Sequence, residues 1–348
     1  MIYNREESEK YRPILTVAIP TYNGARTIGR MLDILLPQVT EEIEVIVSDN
    51  CSTDGTRDII SNYRKEYPFI NFRENEENKG ADLNFLKCML EARGKFVMLV
   101  SDDDILVEGA LETIVEFLTG HPGISMAYMD SVAFKDNYTG VGQCHRYKRF
   151  STRIEQSKEV SDKSEFLKYA QRLFGFTSCH IWSTERIREI PDPGRFVGTF
   201  FMQAYISILC SNRTDDRLGL IAGPCIAVGE YGSLGNYNLA RVEGAFYHRM
   251  IEFAIENGYP GEQLEKYYIW KIIYLGRIYL IKERAIGIHQ TKCRDLFSVT
   301  YRYPGAWIKL YPFFLLPPFI CRSIIYVTRK IQGRNFTSYV NRPTTQDK

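Results

Sequence analysis

Hydrophobic and polar positions alternate along this chain between two kinds of run. Stretches at 14–20 (ILTVAIP), 43–48 (IEVIVS) and 95–100 (KFVMLV) are short and largely apolar, the pattern of strands buried on both faces. Between them apolar residues recur at helical spacing. In 27–36 they fall at Ile28, Met31, Leu32 and Leu35, and 56–67, 80–92 and 109–118 read as further helices. Pro68 ends the helix at 56–67, and a short strand is expected at 70–72. Strands alternating with helices predict right-handed crossovers: an α/β fold whose mostly parallel, Rossmann-like sheet carries helices on both faces. Beyond residue 120 the pattern is mixed. It predicts strands at 125–129 and 218–228, a helix at 163–174, and long aromatic-rich helices at 242–256 and 263–284.

In sheets of this kind ligands bind beyond the carboxyl ends of the strands. Two loops there, 48–54 and 101–104, are rich in carboxylates. Asp102, Asp103 and Asp104 are consecutive, and three adjacent like charges are unfavourable without a cation. Mg²⁺ or Mn²⁺ supplies that charge through oxygen ligands and bridges to phosphate oxygens; a solvated loop capping the next helix is the alternative. In the other loop Asp49 suits hydrogen bonds from a base or ribose hydroxyls, and Asp54, just before a helix, suits an N-cap.

Composition changes the picture in one place. With 45% hydrophobic and 25% charged residues a packed core is expected, and a net charge of +2 gives no whole-protein nucleic-acid footprint. Residues 301–348, however, hold eight Lys or Arg against one acid, Asp347. The apolar run 311–321 is interrupted by Pro312, Pro317 and Pro318, too short and broken to span ~30 Å of hydrocarbon. With Trp307, Tyr311 and Tyr326 beside Lys309, Arg322, Arg329 and Lys330, it reads as a basic, aromatic tail lying on a membrane surface. A terminal helix docked in its own domain is the alternative. Eight scattered cysteines without a C-x-x-C pair, and a polar segment at 1–12, point to reduced thiols in a cytoplasm. No Gly-rich loop of Walker or dinucleotide type is present.

Four segments in order carry a resemblance: VAIPTYN at 17–23, VSDNCSTDGT at 47–56, Asn78-Lys79-Gly80 with Asn84, and GKFVMLVSDDDIL at 94–106. Together they resemble glycosyltransferase family 2, inverting enzymes with the A-type nucleotide-binding fold. The resemblance implies that Pro20, Thr21, Asn23, Lys79 and Gly80 line a nucleotide-sugar and that Asp49 contacts its base. It implies Asp102 near the ribose or metal and Asp103 as principal ligand, with Asp104 a third candidate. The usual Asp-x-Asp would begin at Ser101, so this chain departs from the common form in a way similar to members that add deoxy sugars to bacterial surface polysaccharides.

The chemistry so implied is inverting transfer from a nucleotide diphosphate-sugar, with Mn²⁺ or Mg²⁺, to a hydroxyl of a lipid-linked glycan at the inner face of the cell membrane. A carboxylate base is required. The family's acidic pair falls on 199–203 (TFFMQ), which has no acid, leaving Asp192 and Glu185 as nearest candidates. The expected organisation is a polar segment 1–12, a catalytic domain 13–240 (donor half 13–120, acceptor half 121–240), helices in 241–300 and the tail 301–348. A nucleotidyltransferase, or an inactive membrane scaffold of the same fold, is the rival reading.

Overall fold

The computed structural model describes residues 12–134, 137–145, 152–170, 176–229, 240–287 and 291–331. The chain divides into two compact units, 1–231 with 257–259, and 232–256 with 260–348. Most of the 1–12 segment, and 332–348 of the tail, lie outside the described residues.

The first unit is built on a sheet that contains nine strands among the described residues. Strand β1 (Leu15–Thr21) is buried at every position, as are β2 (Ile43–Asp49) and β4 (Phe96–Leu99), which explains their largely apolar runs. Helix α1 (Ile28–Leu35) buries the four residues whose spacing announced it: Ile28, Met31, Leu32 and Leu35. Helix α2 (Thr56–Glu66) leads to β3 (Asn71–Glu74), and α3 (Ala81–Glu91) leads to β4. The strands β3, β2, β1 and β4 lie side by side and parallel, so their carboxyl ends share one edge.

Past β4 the sheet is mixed. After β5 (Ile105–Leu106) and α4 (Ala110–Gly120) come β6 (Met126–Phe134), β7 (Lys158–Val160), α5 (Lys163–Tyr169), β8 (His180–Ser183), α6 (Thr184–Arg188), α7 (Met202–Cys210) and β9 (Leu218–Gly229). The order is β3-β2-β1-β4-β8-β6-β9-β5, with β7 on β9. Strand β8 runs antiparallel between β4 and β6, pairing Ser183 with Phe96 and Ile181 with Met98. Two of these elements have weak sequence signatures. Strand β8 is only four residues long, and α7 (MQAYISILC) is buried nearly all round, so no polar face marks it as a helix.

The second unit is helical: a π-helical turn at Ala240–Phe246, then α8 (Tyr247–Glu256), α9 (Gly261–Ile286), α10 (Cys293–Thr300), α11 (Pro304–Leu315) and α12 (Pro318–Ile331). Ala240, Ile272, Leu280, Leu296 and Leu310 form its core, with Val299, Phe313 and Phe314 packed against it. Lys271 is held by Glu243 at 2.7 Å over the ring of Tyr247. Arg284 Nε donates to the Leu316 carbonyl at 2.5 Å and Arg322 Nε to that of Ala285 at 2.8 Å, fastening α11 and α12 along α9. Among the described residues no single helix is long and apolar enough to cross a membrane; α11 and α12 pass that test only together, bent by 105°. Ile308, Leu315 and Phe319 are 65–69% exposed on this pair.

Candidate active site

The carboxyl edge of β1–β4 gathers the loops that the sequence singled out. After β1 the chain turns at Asn23, a non-glycine residue at φ +53°. Its amide donates to Ser52 Oγ at 2.8 Å, while its side-chain Oδ1 accepts from Thr53 N at 2.8 Å. Asp54 completes the brace, accepting from Thr56 N at 3.0 Å and Ala25 N at 3.1 Å. Burial raises the Asp54 carboxyl, but these hydrogen bonds outweigh it and leave the group below its usual range. Asp54 therefore braces the start of α2 through Thr56, but the N-cap position expected for it is taken by Gly55.

Asp49 serves this loop as well. It is fully buried, accepts from Ser52 Oγ and from Ser52 N at 3.0 Å, and is paired with Arg57 Nε at 2.9 Å. Asp49 thus organises the loop, and because Oδ1 accepts a single hydrogen bond it keeps acceptor capacity for the base contact expected of it.

The Lys79-Gly80 turn is held by a network of asparagines. Asn50 Nδ2 donates to Asn78 Oδ1 at 2.7 Å, and Asn50 Oδ1 accepts from Asn75 Nδ2 at 3.0 Å and Lys79 N at 3.1 Å. Asn84 joins it through Ser48, at 2.7 and 3.0 Å. Asn50 and Asn75 were not foreseen; the available signal was the recurrence of Asn at 71, 75, 78 and 84 beside Asn50. Gly80 needs to be glycine, at φ +82°.

The three aspartates take separate roles. Asp102 accepts a short hydrogen bond from Thr21 Oγ1. An alanine Cβ at Gly24 would collide with Asp102 Oδ2 and stand 2.5 Å from Thr21 Oγ1, so only glycine lets the loops approach. Burial, with the charges of Asp103 and Asp54, pushes the Asp102 carboxyl up to about 6. Asp103 is raised by burial too, with Arg30 and Arg26 pulling it back. These two arginines, at the entry to α1, bring positive charge to the site and were not foreseen. Asp104, the third candidate ligand, is the buried member of the triplet. It is 2% exposed, and its oxygens accept from Ser178 Oγ at 2.7 Å and Gly229 N at 3.1 Å. Burial and Asp103 raise its carboxyl. It ties the triplet to the turn before β8 and the end of β9.

Asp102 and Asp103 suit a hard divalent cation: both are desolvated carboxylates, Asp102 being packed against Gly24. Among the described residues no three His, Cys, Asp or Glu side chains cluster as a complete ligand set. Two carboxylates would leave the remaining coordination positions of Mg²⁺ or Mn²⁺ to water and phosphate oxygens.

Of the two candidate bases, Glu185 is excluded. Thr184 N donates to the Lys95 carbonyl at 3.0 Å, which puts α6 at the amino edge of the sheet, the far end from the aspartates. Asp192 lies in the segment that climbs back, at φ +45° and exposed. The segment reaches the carboxyl edge at 198–200, where Asp82 Oδ2 accepts from Gly198 N at 2.8 Å and Phe200 N at 3.1 Å. His180 is a core residue, stacked on Trp182 and edge-on to Tyr128. Trp182 Nε1 donates to Ser207 Oγ at 2.8 Å, fixing the register of α7 on β8. His180 Nε2 and Gln203 Oε1 are buried without a hydrogen-bond partner.

Residues 16–179 match the family model described as glycosyl transferase family 2. The chain is 26% identical over 220 residues to abequosyltransferase RfbV of Salmonella typhimurium, covering 61% of this chain and 66% of the relative. It is 27% identical over 181 residues to the GalNAc(5)-diNAcBac-PP-undecaprenol beta-1,3-glucosyltransferase of Campylobacter jejuni, covering 51% and 55%. The chain thus spans no more than 66% of the length of these relatives. Among solved structures, residues 1–349 of S. aureus TarS in complex with UDP-GlcNAc superpose with a TM-score of 0.57 at 17% identity, covering 92% of this chain and 93% of that one. The fold is therefore the A-type glycosyltransferase fold.

Proposed function

We propose that this chain, whose residues 16–179 form a family 2 glycosyltransferase domain, is an inverting, metal-dependent glycosyltransferase using a nucleotide diphosphate-sugar. One observation carries the reading. The family match coincides with a carboxyl-edge site where Asp102 and Asp103 are desolvated beside Arg26 and Arg30. Asp103 and Asp102 would hold Mn²⁺ or Mg²⁺, which when bound neutralises charge on the departing diphosphate. Thr21 fixes the orientation of Asp102, Arg26 and Arg30 add positive charge toward the phosphates, and the asparagine network presents the backbone of Lys79 and Gly80 to the donor. Acceptor attack comes from the face opposite the leaving group.

The acceptor in this reading is a hydroxyl of a lipid-linked glycan in surface-polysaccharide synthesis. The names of the two relatives and the exposed apolar residues of α11 and α12 support it. The tail would rest on the inner face of the cell membrane, with 13–120 serving the donor and 121–240 the acceptor. The test is calorimetric titration with UDP, GDP, dTDP and CDP, with and without Mn²⁺, on wild type and Asp103→Ala. Metal-dependent binding of one nucleotide, lost in the variant, is expected; no binding of any nucleotide refutes the reading.

A further inference from the structure

In the helical second unit, Tyr301 and Arg302, between α10 and α11, wall a cleft of about 230 Å³ whose other side is α8. The charged groups lining it are Arg249, Glu252 and Arg302, with His248 beside them. Two guanidiniums therefore face one carboxylate. Among the described residues Arg249 makes no ion pair; its exposed side chain holds the guanidinium 5.8 Å from the centre of the Phe246 ring. The Arg302 side chain is 60% exposed, donates from Nε to the Tyr301 hydroxyl at 3.0 Å and reaches Glu252 only at 3.7 Å. An exposed ion pair of that length is weak and readily exchanged for a better anion. His248 has both ring nitrogens engaged, Nε2 with the Tyr303 hydroxyl at 3.2 Å and Nδ1 with Glu252 at 3.5 Å, so it forms wall. The cleft thus offers two planar guanidinium forks, the donor geometry that suits phosphate oxygens.

The neighbouring surface identifies the rest of the ligand. Tyr301 begins a strip of aromatic rings: Phe297 lies 6.4 Å from it, Trp307 4.9 Å from Phe297, and Tyr311 5.3 Å from Trp307, centre to centre. Phe297, Tyr301 and Tyr311 are 43–52% exposed. The strip ends on a face of α11 that carries Ile308, Tyr311 and Leu315 at helical spacing, with Ile308 69% and Leu315 65% exposed. Amphipathic rings therefore join a cationic cleft to an aliphatic bank. At a bilayer surface Tyr and Trp settle at the level of the headgroups, between phosphates and acyl chains. Cleft, rings and aliphatic face follow one another in the order in which a phospholipid presents its own parts.

We propose that this cleft seats the phosphodiester of an anionic phospholipid, with Arg249 and Arg302 on its oxygens and the aromatic strip along its glycerol and upper acyl carbons. Two arginines against one glutamate favour a headgroup of net negative charge over a zwitterionic one. The proposal names the partner of the membrane-facing tail and rests on that reading, not on the donor chemistry. The probe is dihexanoylphosphatidylglycerol, titrated below its micelle concentration into the full chain by calorimetry, with dihexanoylphosphatidylcholine and inorganic phosphate in separate runs. Saturable binding of the phosphatidylglycerol, tighter than either of the others, is expected. Arg249→Gln and Arg302→Gln should each weaken it about ten-fold or more, through loss of charge-assisted hydrogen bonds. Lys266→Gln, which removes the same charge from an exposed pair with Glu262 on α9, should not. Both arginines are exposed, so their variants should melt with wild type. Phosphate or phosphatidylcholine binding as tightly as phosphatidylglycerol overturns the assignment; so does unchanged binding in both arginine variants, or none in wild type. Sedimentation of wild type with phosphatidylglycerol vesicles separates the two ideas. If it persists without binding of the soluble lipid, the cleft alone fails; if it is absent as well, the membrane reading fails with it.

Discussion

Replacing Gly24 by alanine tests the packing of the candidate metal site. The new Cβ collides with Asp102 Oδ2 and comes 2.5 Å from Thr21 Oγ1. Either the Thr21–Asp102 hydrogen bond breaks or residues 23–25 move. A hydrogen bond to a charged acceptor contributes about 1.5–3 kcal/mol, and overpacking typically costs about 1–3 kcal/mol. The two are alternatives in part, so a total of roughly 2–4 kcal/mol is expected. For a unit of this size that lowers the melting temperature by roughly 5–15 °C. Gly29, in the same segment, is the control. Its nearest neighbours to an added Cβ are 3.8 Å away, and it lies inside α1, so Gly29→Ala should stabilise by about 0.5–1 kcal/mol. Thr21→Val removes the hydrogen bond without a clash, and combined with Gly24→Ala should cost less than the two separately. Melting by fluorimetry gives stability, and calorimetry with nucleotide and Mn²⁺ gives binding. Gly24→Ala should lose metal-dependent binding at temperatures where it is still folded. A variant that melts with wild type and binds nucleotide normally would refute the close-approach argument.

Other outcomes follow from the same structure. His180 is buried and neutral, its pKa pushed down to about 4, whereas an unfolded chain takes up a proton below about 6.5. Its contribution is fully present above pH 6.5 and is lost as pH falls toward 4, so urea denaturation at pH 5 should show about 2 kcal/mol less stability from this group than at pH 7. His180→Phe should flatten that difference, and an unchanged slope would count against it. Glu185→Gln should leave nucleotide release from the donor unaltered, whereas Asp103→Asn should reduce it on the order of 100-fold or more; a strong effect of Glu185→Gln would mean that the chain reaches the site from the amino edge. Removing the tail would strip Leu310 from the second unit's core, so Ile308→Glu with Phe319→Glu is the cleaner perturbation. Each buried apolar side chain is worth about 1.5–3 kcal/mol, so the pair should abolish sedimentation with anionic liposomes; unchanged sedimentation removes the membrane reading.

Residues 13–120 were legible because their physics is local. Continuous apolar runs mark buried parallel strands, and carboxylates directly after such runs sit where that topology puts ligands. What sequence could not show was how each carboxylate spends its oxygens. Asp49 and Asp104 look equivalent to Asp102 and Asp103 in the chain, but Ser52 and Arg57 tie the first, and Ser178 and Gly229 the second, to the scaffold. Arg26 and Arg30 read as ordinary surface charges of a helix start, and become site residues only when α1 folds beside the triplet. Glu185 is close to the 199–203 segment in number but not in space. The antiparallel run of β8 sends residues 183–185 to the other edge of the sheet, and a four-residue strand gives too little periodicity to announce that reversal.

The insertion of β8 between β4 and β6 also has a meaning in biosynthetic time. Leaving the ribosome, residues 13–120 carry all four family-like segments, yet β4 then has a bare edge where β8 will later pair, and Asp104 lacks both Ser178 and Gly229. Translation at about 5–20 residues per second leaves the nascent half in that state for several seconds. The hydrogen bonds of Asp104 are complete only when β9 arrives, so the triplet cannot be fixed ahead of residues 218–229.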